Sequence, residues 1–501
     1  MREPYPSFRA FSRPSTRSIS STWPESRFSS TSRKPRTLRP QASQSNLEVE
    51  KFLGRGRLDR RDPIDPNYQG RYYYEDWDLP RRAKTGDLVE VSLSSSRFNP
   101  FLYLANGRTR RGRPLLLGTN TLLTDGSERL SPNARLVFMV KPGGSYFLRA
   151  TTTSPGEQGA YTIRYRVFRS TSPSFNFFYG SGLVDAAAAL SSATGRPVSA
   201  SSVGLGGDDW GRDLIKAPAV WAEGITGQGV TVAVIDTGVD LNHPELRVNL
   251  WVNSDEIPGN GIDDDRNGLI DDYQGWDFSS NDNDPSDTDG HGTHVAGTIA
   301  AARDGIGVTG VAPNAQIMPI RVLSAQPSTT DPTGNIALIR GIDYAISNGA
   351  KVINLSLSKG YRYDFEFGAA LQRANLAGVV VVIASGNERE DEGTIQPSEL
   401  GYRAMVNNLG ITVGAVDRDT QMALFSNPAG RRPGHFVVAP GVNVLSSIPG
   451  SQYATYSGTS MATPHVAGLA ALLLSANPSL TPAQIYSILT QTANRQVGVR
   501  P

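Results

Sequence analysis

The stretch TVAVIDTG, residues 231–238, has the pattern of a β-strand that is buried on both faces. Its apolar, mostly β-branched residues run without a break to Asp236, and Thr237 and Gly238 follow. Such a run is typical of a parallel sheet whose two faces are covered by helices. In open sheets of this kind the sites lie at the carboxyl ends of the strands. The stretch therefore predicts a parallel sheet with Asp236 at its functional edge.

The chain from Trp210 onward repeats this alternation of strand and helix. Apolar runs predict strands near 231–236, 316–323, 351–357, 379–384 and 410–415, and the segments between them predict helices near 291–302, 335–348 and 366–376. Strands that alternate with helices indicate a mostly parallel, doubly wound sheet. We therefore predict an α/β fold for residues 206–501.

A histidine stands at the start of one of these helices. The segment DGHGTHVAG, residues 289–297, places His291 just before a run of small residues that suits close packing on the sheet. A histidine acts as a general base when a carboxylate orients it and a hydroxyl lies within its reach. Asp236 is a suitable carboxylate. The two segments together would form such a site if another part of the chain supplied the hydroxyl, for example from a serine.

The segment GTSMATPH, residues 458–465, supplies that serine just before the apolar run 466–474. Pro464 suits the first turn of a helix, where a missing N–H costs little. Ser460 is then near a helix N-terminus, where free N–H groups and the helix dipole favour a developing negative charge. A lone serine there is usually only a helix cap, so the hypothesis depends on Asp236 and His291.

With these three segments in the order Asp236, His291, Ser460, the chain resembles the subtilisin-family serine endopeptidases (subtilases, peptidase S8 family) over roughly residues 205–495. The resemblance implies an Asp-His-Ser triad that hydrolyses peptide bonds through an acyl-enzyme. It also implies that Asn387, after the apolar run 379–384, forms an oxyanion hole with the backbone N–H of Ser460. Losing such a donor typically costs about 10²–10³ in turnover.

The resemblance further implies that polypeptide substrates pair as a strand with residues 354–358, through main-chain hydrogen bonds. The predicted substrate-binding residues are Ser356, Leu357 and Ser358, and Ser358 stands where the family usually has glycine. The charged run 388–392 is interpreted as an exposed loop, with the rim of a pocket for basic side chains as the alternative.

Two other interpretations of the site were weighed. A metalloprotease is disfavoured because His291 and His294 lack the His-Glu-x-x-His pattern. A catalytically silent binding protein on the same fold is disfavoured because the triad and Asn387 are intact. His243, His294 and His465 are interpreted as packing residues.

Composition limits the remaining possibilities. The chain has 501 residues, no cysteine and a formal net charge of +2, so a disulfide framework is excluded. Residues 1–46 hold nine Lys/Arg against two Glu, and we interpret residues 1–51 as a disordered basic tail rather than an arm for acidic partners. No apolar run is long enough to span a membrane, and nothing else indicates nucleic-acid binding. We also expect a monomer. The resemblance implies a secreted or cell-envelope protein, although residues 1–30 lack the apolar region of a signal peptide.

Alternating apolar residues between turn signals predict a small antiparallel β-sandwich over residues 52–168. The segments YEDW at 74–77, NPFL at 99–102 and KPGGSYFL at 141–148 resemble the bacterial pre-peptidase (PPC-like) domain. Residues 169–205 are predicted to be a linker with an Ala-rich helix. Because GSGLVDA at 180–186 resembles the helix that closes many subtilase domains at their C-terminal end, residues 178–192 are expected to dock onto the α/β domain, with a plain linker helix as the alternative.

An acidic loop at residues 260–272 is rich in oxygen ligands of the kind that Ca²⁺ prefers. The tentative ligands, in the spacing of an EF-hand-like loop, are Asp263, Asp265, Asn267 and Asp271. Gln274 stands where an EF-hand has its bidentate Glu, so a full EF-hand is not expected, and a solvated acidic turn is the alternative. A second, weaker site was considered at Asp277, Asp282, Asp284 and Asp287.

Overall fold

The computed structural model describes residues 47–497, except 59, 61–73, 79–87, 99, 109–113, 120, 123–132, 140–145, 153–154, 171–174, 200–203, 324–332, 358–364 and 390–393. Residues 1–46 of the predicted basic tail lie outside this range. So do Ser358 of the predicted substrate segment and most of the charged run 388–392.

The N-terminal part is built from two antiparallel sheets. The first has the order β1-β9-β3-β7-β6 and the second β2-β8-β4-β5. Their strands are β1 Leu47–Leu58, β2 Glu75–Asp78, β3 Leu88–Ser94, β4 Pro100–Arg108, β5 Pro114–Thr119, β6 Thr121–Leu122, β7 Asn133–Met139, β8 Tyr146–Thr152 and β9 Gly159–Ser170. Apolar side chains from both sheets, such as Val91 and Leu148, share one core. The antiparallel part is therefore present, and its likeness to the pre-peptidase domain stays a prediction.

The first strand corrects one predicted boundary. Strand β1 begins at Leu47, inside the range 1–51 that was predicted to be disordered, and pairs along its length with β9, from Leu47 opposite Ser170 to Leu58 opposite Gly159. The pairing with β9 thus includes residues 47–51, which lie within the range that was expected to be a disordered tail.

The C-terminal part contains a seven-stranded sheet in the order β11-β12-β10-β13-β14-β15-β16, and all its strands are parallel. The strands are β10 Thr231–Asp236, β11 Trp276–Asp277, β12 Gln316–Arg321, β13 Val352–Leu355, β14 Val380–Ala384, β15 Ile411–Val416 and β16 Phe436–Pro440, and a hairpin of β17 Val444–Ile448 and β18 Gln452–Tyr456 follows. The five predicted strands are confirmed. β11, β16 and the hairpin were not predicted.

Helices cover both faces of this sheet. They are α1 Ala186–Thr194, α2 Trp210–Leu214, α3 Ala217–Ala222, α4 His291–Ala300, α5 Thr333–Ser347, α6 Phe365–Leu376, α7 Glu399–Val406, α8 Thr459–Ala476 and α9 Pro482–Gln491. Successive residues of β10 alternate between two cores. Val232 and Val234 pack in the core that contains α4 and α8, and Ala233 and Ile235 in the core that contains α5 and α6. The alternation explains why residues 232–235 are all apolar, and the α/β prediction is confirmed.

Helix α8 is the one described helix that is long and apolar enough to cross a membrane, but 83% of that stretch is buried inside the protein. Its apolar residues face the core on all sides, as expected of a central helix in a large domain.

The segment before the α/β domain docks onto it, which confirms the expectation for residues 178–192. Residues 181–184 run parallel to the edge strand β16: Ser181 N donates to Phe436 O (2.9 Å), Val438 N to Gly182 O (2.9 Å) and Val184 N to Val438 O (3.1 Å). Leu183 also exchanges two main-chain hydrogen bonds with Asn494, near the end of the chain (2.9 and 2.7 Å). The segment therefore covers an edge that would otherwise expose unpaired main-chain groups.

Helix α1 continues from this segment and packs on α3, α8 and α9. The side chain of Asp185 caps its first turn by accepting from Ala188 N (3.0 Å), and Gly195 ends it in the left-handed conformation. The Ala-rich face of α1 allows close approach, and Leu190 is only 2% exposed in the core. Helix α1 therefore belongs to the core of the α/β domain, although it precedes that domain in the sequence.

We predict that Leu190→Ala lowers the unfolding midpoint of the α/β domain, because a buried leucine replaced by alanine costs about 2–5 kcal/mol. Thermal unfolding followed by circular dichroism measures the change. Ser192→Ala, at an exposed position of the same helix, serves as the control and should change stability by about 0.5 kcal/mol or less. An equal midpoint for both variants would mean that α1 adds nothing to the domain.

Candidate active site

Asp236 and His291 are in direct contact at the carboxyl edge of the sheet. Asp236 ends β10 and is fully buried, and its Oδ1 lies 2.7 Å from Nδ1 of His291. The same oxygen accepts a hydrogen bond from Thr237 N (2.8 Å). A carboxylate at this position holds the proton of the imidazole on Nδ1, which leaves Nε2 free to accept another proton.

The start of α4 is held by a carboxylate that the sequence did not reveal. Asp287 accepts from the main-chain N–H groups of Gly290 (3.0 Å) and Thr293 (2.9 Å), and from the hydroxyl groups of Thr237 (3.0 Å) and Thr293 (2.6 Å). These bonds satisfy free N–H groups at a helix N-terminus. They use Asp287 to place His291, and the weaker calcium site that includes this residue stays a prediction.

Glycine at position 292 allows α4 to approach β10. A Cβ atom there would lie 2.1 Å from the carbonyl oxygen of Gly238 and 3.2 Å from Cβ of Asp236. The N–H of Gly292 also donates to Oγ1 of Thr237 (2.9 Å). The small residues of the HGTH segment therefore serve the contact between Asp236 and His291.

Ser460 lies in the first turn of α8, as predicted. Its hydroxyl donates to the carbonyl oxygen of Ser356 (3.1 Å), and the hydroxyl of Ser356 donates back to the carbonyl oxygen of Ser460 (2.9 Å). This reciprocal pair joins the loop after β13 to the helix. Catalytic hydrogen bonds often tighten only when substrate binds, so the rotamer of Ser460 seen here is compatible with a later bond to His291.

Asn387 and the main chain of Ser460 face a common space. Oδ1 of Asn387 accepts from the main-chain N (2.9 Å) and the hydroxyl (3.0 Å) of Thr459, which leaves the Nδ2 donor group directed elsewhere. A Cβ atom built on Gly458 would lie 3.6 Å from Nδ2 of Asn387 and 3.7 Å from N of Ser460. Both donors thus border the small volume that glycine leaves open at position 458.

The electrostatic surroundings of His291 favour its protonated form. Burial by itself lowers the pKa of the imidazole, but the negative charge and hydrogen bond of Asp236 outweigh burial, and Asp289 and Asp287 add to the effect. The net result is a raised pKa. An imidazolium formed by taking up a proton from a hydroxyl is therefore stabilised at this position.

The other histidines near the site have structural contacts, in agreement with their interpretation as packing residues. His294 bonds through Nε2 to Val444 O (3.0 Å) and stacks on Tyr456, and burial lowers its pKa to about 4. His465 bonds through Nδ1 to Met461 O (2.9 Å), and burial lowers its pKa to about 3. His243 Nε2 contacts Gln452 O (3.1 Å).

The described part of the predicted substrate segment lies beside Ser460. Ser356 and Leu357 are buried at 3% and 5% exposure, directly after β13. The amide of Asn354 donates to Oγ of Ser356 (3.0 Å) and so holds the hydroxyl that bonds to Ser460.

The four metal ligands predicted in the acidic loop all make hydrogen bonds within the loop. Asp263 accepts from the main-chain N–H groups of Asn267 (3.0 Å) and Gly268 (2.9 Å), and Asp271 accepts from those of Asn260 and Gly261 (both 3.0 Å). These carboxylates shape the turns of the loop. Asn267 is instead bonded through Nδ2 to Asp265 (2.9 Å) and Asp272 (3.1 Å).

Asp265 belongs to a different group of acids, with Glu256 and Asp272. One carboxylate oxygen from each lies within 4.8 Å of the others, and Glu256 and Asp272 are buried. Oε1 of Glu256 accepts from the main-chain N–H groups of Asp264 and Asp265, while Oε2 is buried and has no partner among the described residues. This group has the oxygen donors that a hard cation prefers and one buried acceptor still to be satisfied. Sequence spacing could not reveal Glu256, which lies outside the regular part of the loop.

The fold and the site define an α/β protein with an aspartate–histidine pair, a helix-borne serine and two N–H donors at one sheet edge. The subtilase family pattern matches residues 227–500, more than half of the chain. The chain belongs to the subtilase family.

Several subtilisins are similar to this chain. Subtilisin from Bacillus pumilus is 41% identical over 288 residues, which are 57% of this chain and 90% of that protein. Subtilisin E from Bacillus subtilis (strain 168) is 41% identical over 288 residues, and the match spans 65% of its length. A solved structure described as a cold adapted subtilisin-like serine proteinase is 34% identical, with a TM-score of 0.43, and covers 55% of this chain and 86% of that one.

Because the pKa of His291 is raised, the neutral imidazole should be available only at higher pH than for an ordinary histidine. We predict that a fluorophosphonate probe labels Ser460 at a rate that rises with pH, with a midpoint above about 6.5. Asp289→Asn keeps the bond to Asp236 but removes one of the charges that raise the pKa, so it should lower the midpoint slightly. Asp236→Asn should slow labelling by about 10⁴. A midpoint at or below 6.5 in the unaltered chain would contradict the electrostatic argument.

Proposed function

We propose that this subtilase is a serine endopeptidase. The observation that carries the proposal is the 2.7 Å contact between buried Asp236 and His291 at the same sheet edge as Ser460. Family membership adds support, because relatives with 41% identity are named subtilisins. The substrate class that we propose is the polypeptide chain.

In the proposed reaction, Asp236 keeps His291 in the tautomer that presents Nε2 to the hydroxyl of Ser460. His291 accepts the proton as Oγ bonds to the peptide carbonyl carbon, and later donates it to the leaving amine. Water then hydrolyses the acyl-enzyme with the same residue as base. Asp236 stays ionised throughout and stabilises the imidazolium.

The developing oxyanion is proposed to lie beside Gly458, between the Nδ2 group of Asn387 and the main-chain N of Ser460. The two bonds from Thr459 to Oδ1 of Asn387 support this role, because they orient the amide before substrate arrives. Donors that need no reorganisation at the moment of reaction are the effective ones. The start of α8 adds the positive end of a helix dipole.

Substrate is proposed to pair as an extended strand with the segment that contains Ser356, Leu357 and Ser358. Main-chain pairing of this kind tolerates many side chains, and pockets for alternate residues supply selectivity. The carbonyl of Ser356, which accepts from Ser460 in the free protein, becomes available when that hydroxyl turns toward His291.

We predict that Ser460→Ala abolishes both probe labelling and cleavage of a protein substrate, because it removes the atom that forms the acyl bond. Labelling followed by intact-mass analysis and a casein digestion assay measure the two effects. Ser457→Ala removes an exposed hydroxyl three residues earlier and should retain both. Failure of the unaltered chain to label would favour a silent binding protein, and cleavage by Ser460→Ala would exclude the proposed nucleophile.

Calcium is proposed as a structural ion, held by Glu256, Asp265 and Asp272. The buried, unpartnered Oε2 of Glu256 supports a cation there, because an ionised carboxylate is costly to bury without a compensating charge. Of the four ligands predicted from the sequence, this proposal keeps Asp265. It gives Asp263, Asn267 and Asp271 the task of shaping the loop through the hydrogen bonds described above.

We predict that calcium raises the melting temperature and that a chelator reverses the effect. A ligand at 100 times its dissociation constant stabilises the folded state by about 2.7 kcal/mol. Glu256→Gln should abolish the response, while Asp271→Asn, the matched control in the same loop, should retain it. If Asp271→Asn abolished the response and Glu256→Gln retained it, the ion would instead be bound by the ligands predicted from spacing. If a chelator did not change the melting temperature of the unaltered chain, neither site would bind calcium.

A further inference from the structure

The short loop after β14, residues 385–388, carries Asn387 and makes several hydrogen bonds with one buried residue, Asn427. Its main-chain N donates to Gly386 O (2.9 Å), and its carbonyl oxygen accepts from the hydroxyl of Ser385 (3.0 Å). These two bonds fix the loop before Asn387. Asn427 is 1% exposed, so water does not compete for its hydrogen bonds.

The side chain of Asn427 adds three hydrogen bonds to the same loop. Its Nδ2 donates to Ser385 O (3.0 Å) and to Oε2 of Glu388 (2.6 Å), and its Oδ1 accepts from Glu388 N (3.0 Å). Asn427 therefore binds both the residue before the turn and the residue directly after Asn387. Within the described residues, the side chain of Asn387 is left to bond with Thr459 on the opposite side.

Gly386 shows how little room this arrangement leaves. Its φ of +99° favours glycine, and a Cβ atom there would lie 2.4 Å from both Nδ2 of Asn427 and Oε2 of Glu388. The N–H of Gly386 donates to Oγ1 of Thr459 (3.2 Å). The loop is thus held between Asn427 and the start of α8.

The residues after Asn427 are themselves braced by the segment that precedes the α/β domain. Gly430 N donates to Phe177 O (2.9 Å) and Ala429 N to Phe178 O (3.2 Å). The guanidinium of Arg389 lies 5.3 Å from the centre of the Phe178 ring. The support of the loop therefore extends outward to residues 175–180.

We propose that Asn427 is a positioning residue for the oxyanion donor Asn387. Its contacts are with Ser385, Gly386 and Glu388, and it touches neither Asn387 nor the space beside Gly458 in the hydrogen bonds described above. Its effect on the reaction must then pass through the placement of Nδ2 of Asn387. The inference rests on the proposed endopeptidase function and names a further residue that this function needs.

A double-mutant cycle between Asn427 and Asn387 tests the proposal, because a residue that acts through another has no effect once that other is removed. Asn387→Ala should lower kcat by about 10²–10³. Asn427→Ala should lower kcat by up to about 10², the scale of a small misplacement of a catalytic group, with KM little changed. In the Asn387→Ala background, Asn427→Ala should change kcat by about twofold or less.

Asn348→Ala is the control for loss of an amide side chain, because Asn348 follows α5 and precedes β13, at the amino edge of the sheet. It should leave kcat and KM unchanged. Additive losses in the double variant, or an unchanged kcat in Asn427→Ala, would overturn the positioning role. Absence of hydrolysis in the unaltered chain would instead remove the proposed function, so the two failures are distinguishable.

A second pair of variants covers the case in which Asn427→Ala does not fold. Asn427→Asp keeps an acceptor for Glu388 N but sets two carboxylates against each other, so kcat should fall. Adding Glu388→Gln supplies an amide donor opposite Asp and should recover the part of kcat lost through Glu388, while the donor to Ser385 O is not replaced. Active-site titration corrects each rate for the folded fraction. The absence of any recovery by Glu388→Gln, in a chain with an unchanged melting temperature, would count against the proposal.

Discussion

The parallel register of three central strands is the constraint on which the site depends. Val234 of β10 lies beside Asn354 of β13, and Asn354 lies beside Val382 of β14. Because the strands point in one direction, their carboxyl ends emerge at the same edge. Asp236 is the last residue of its strand, Ser356 directly follows its strand and Asn387 is the third residue after its strand. Side chains that are far apart in the chain are therefore brought to one edge without any long loop.

Burial of α8 brings the remaining group to that edge. The helix is apolar around its circumference and crosses the core beneath the sheet, which places its N-terminus at the carboxyl ends of the strands. The reciprocal bonds between Ser356 and Ser460 then set the helix against β13, and the bonds from Thr459 set it against the loop of Asn387. The same packing that stabilises the domain therefore orients the donors and the hydroxyl.

A segment from outside the matched family region completes this arrangement. Residues 181–184 cover the edge of β16, and α1 fills the core beside α8. Residues 177 and 178 support the chain after Asn427, which supports the loop of Asn387. Main-chain hydrogen bonds therefore connect residues 177 and 178 with the chain around Asn427, and connect Asn427 with the loop of Asn387. The structure of the site thus depends in part on this preceding segment.

The sequence by itself determined the fold class and five of the seven parallel strands, and it selected the residues proposed as the triad, because apolar periodicity and short motifs are local properties. It also indicated that residues 178–192 would dock. Only the tertiary structure decided which groups support the site. Asn427 is 39 positions from Glu388, and Asp287 is 50 positions from Thr237, so no local pattern joins them. The acidic loop shows the same limit: spacing selected Asp263 and Asp271, whose carboxylates bond to the loop's own main chain, while burial gathered Glu256 and Asp272 around Asp265. Sequence spacing shows only which residues are close along the chain. The role of a polar group depends instead on which hydrogen-bond partners the folded core brings within reach.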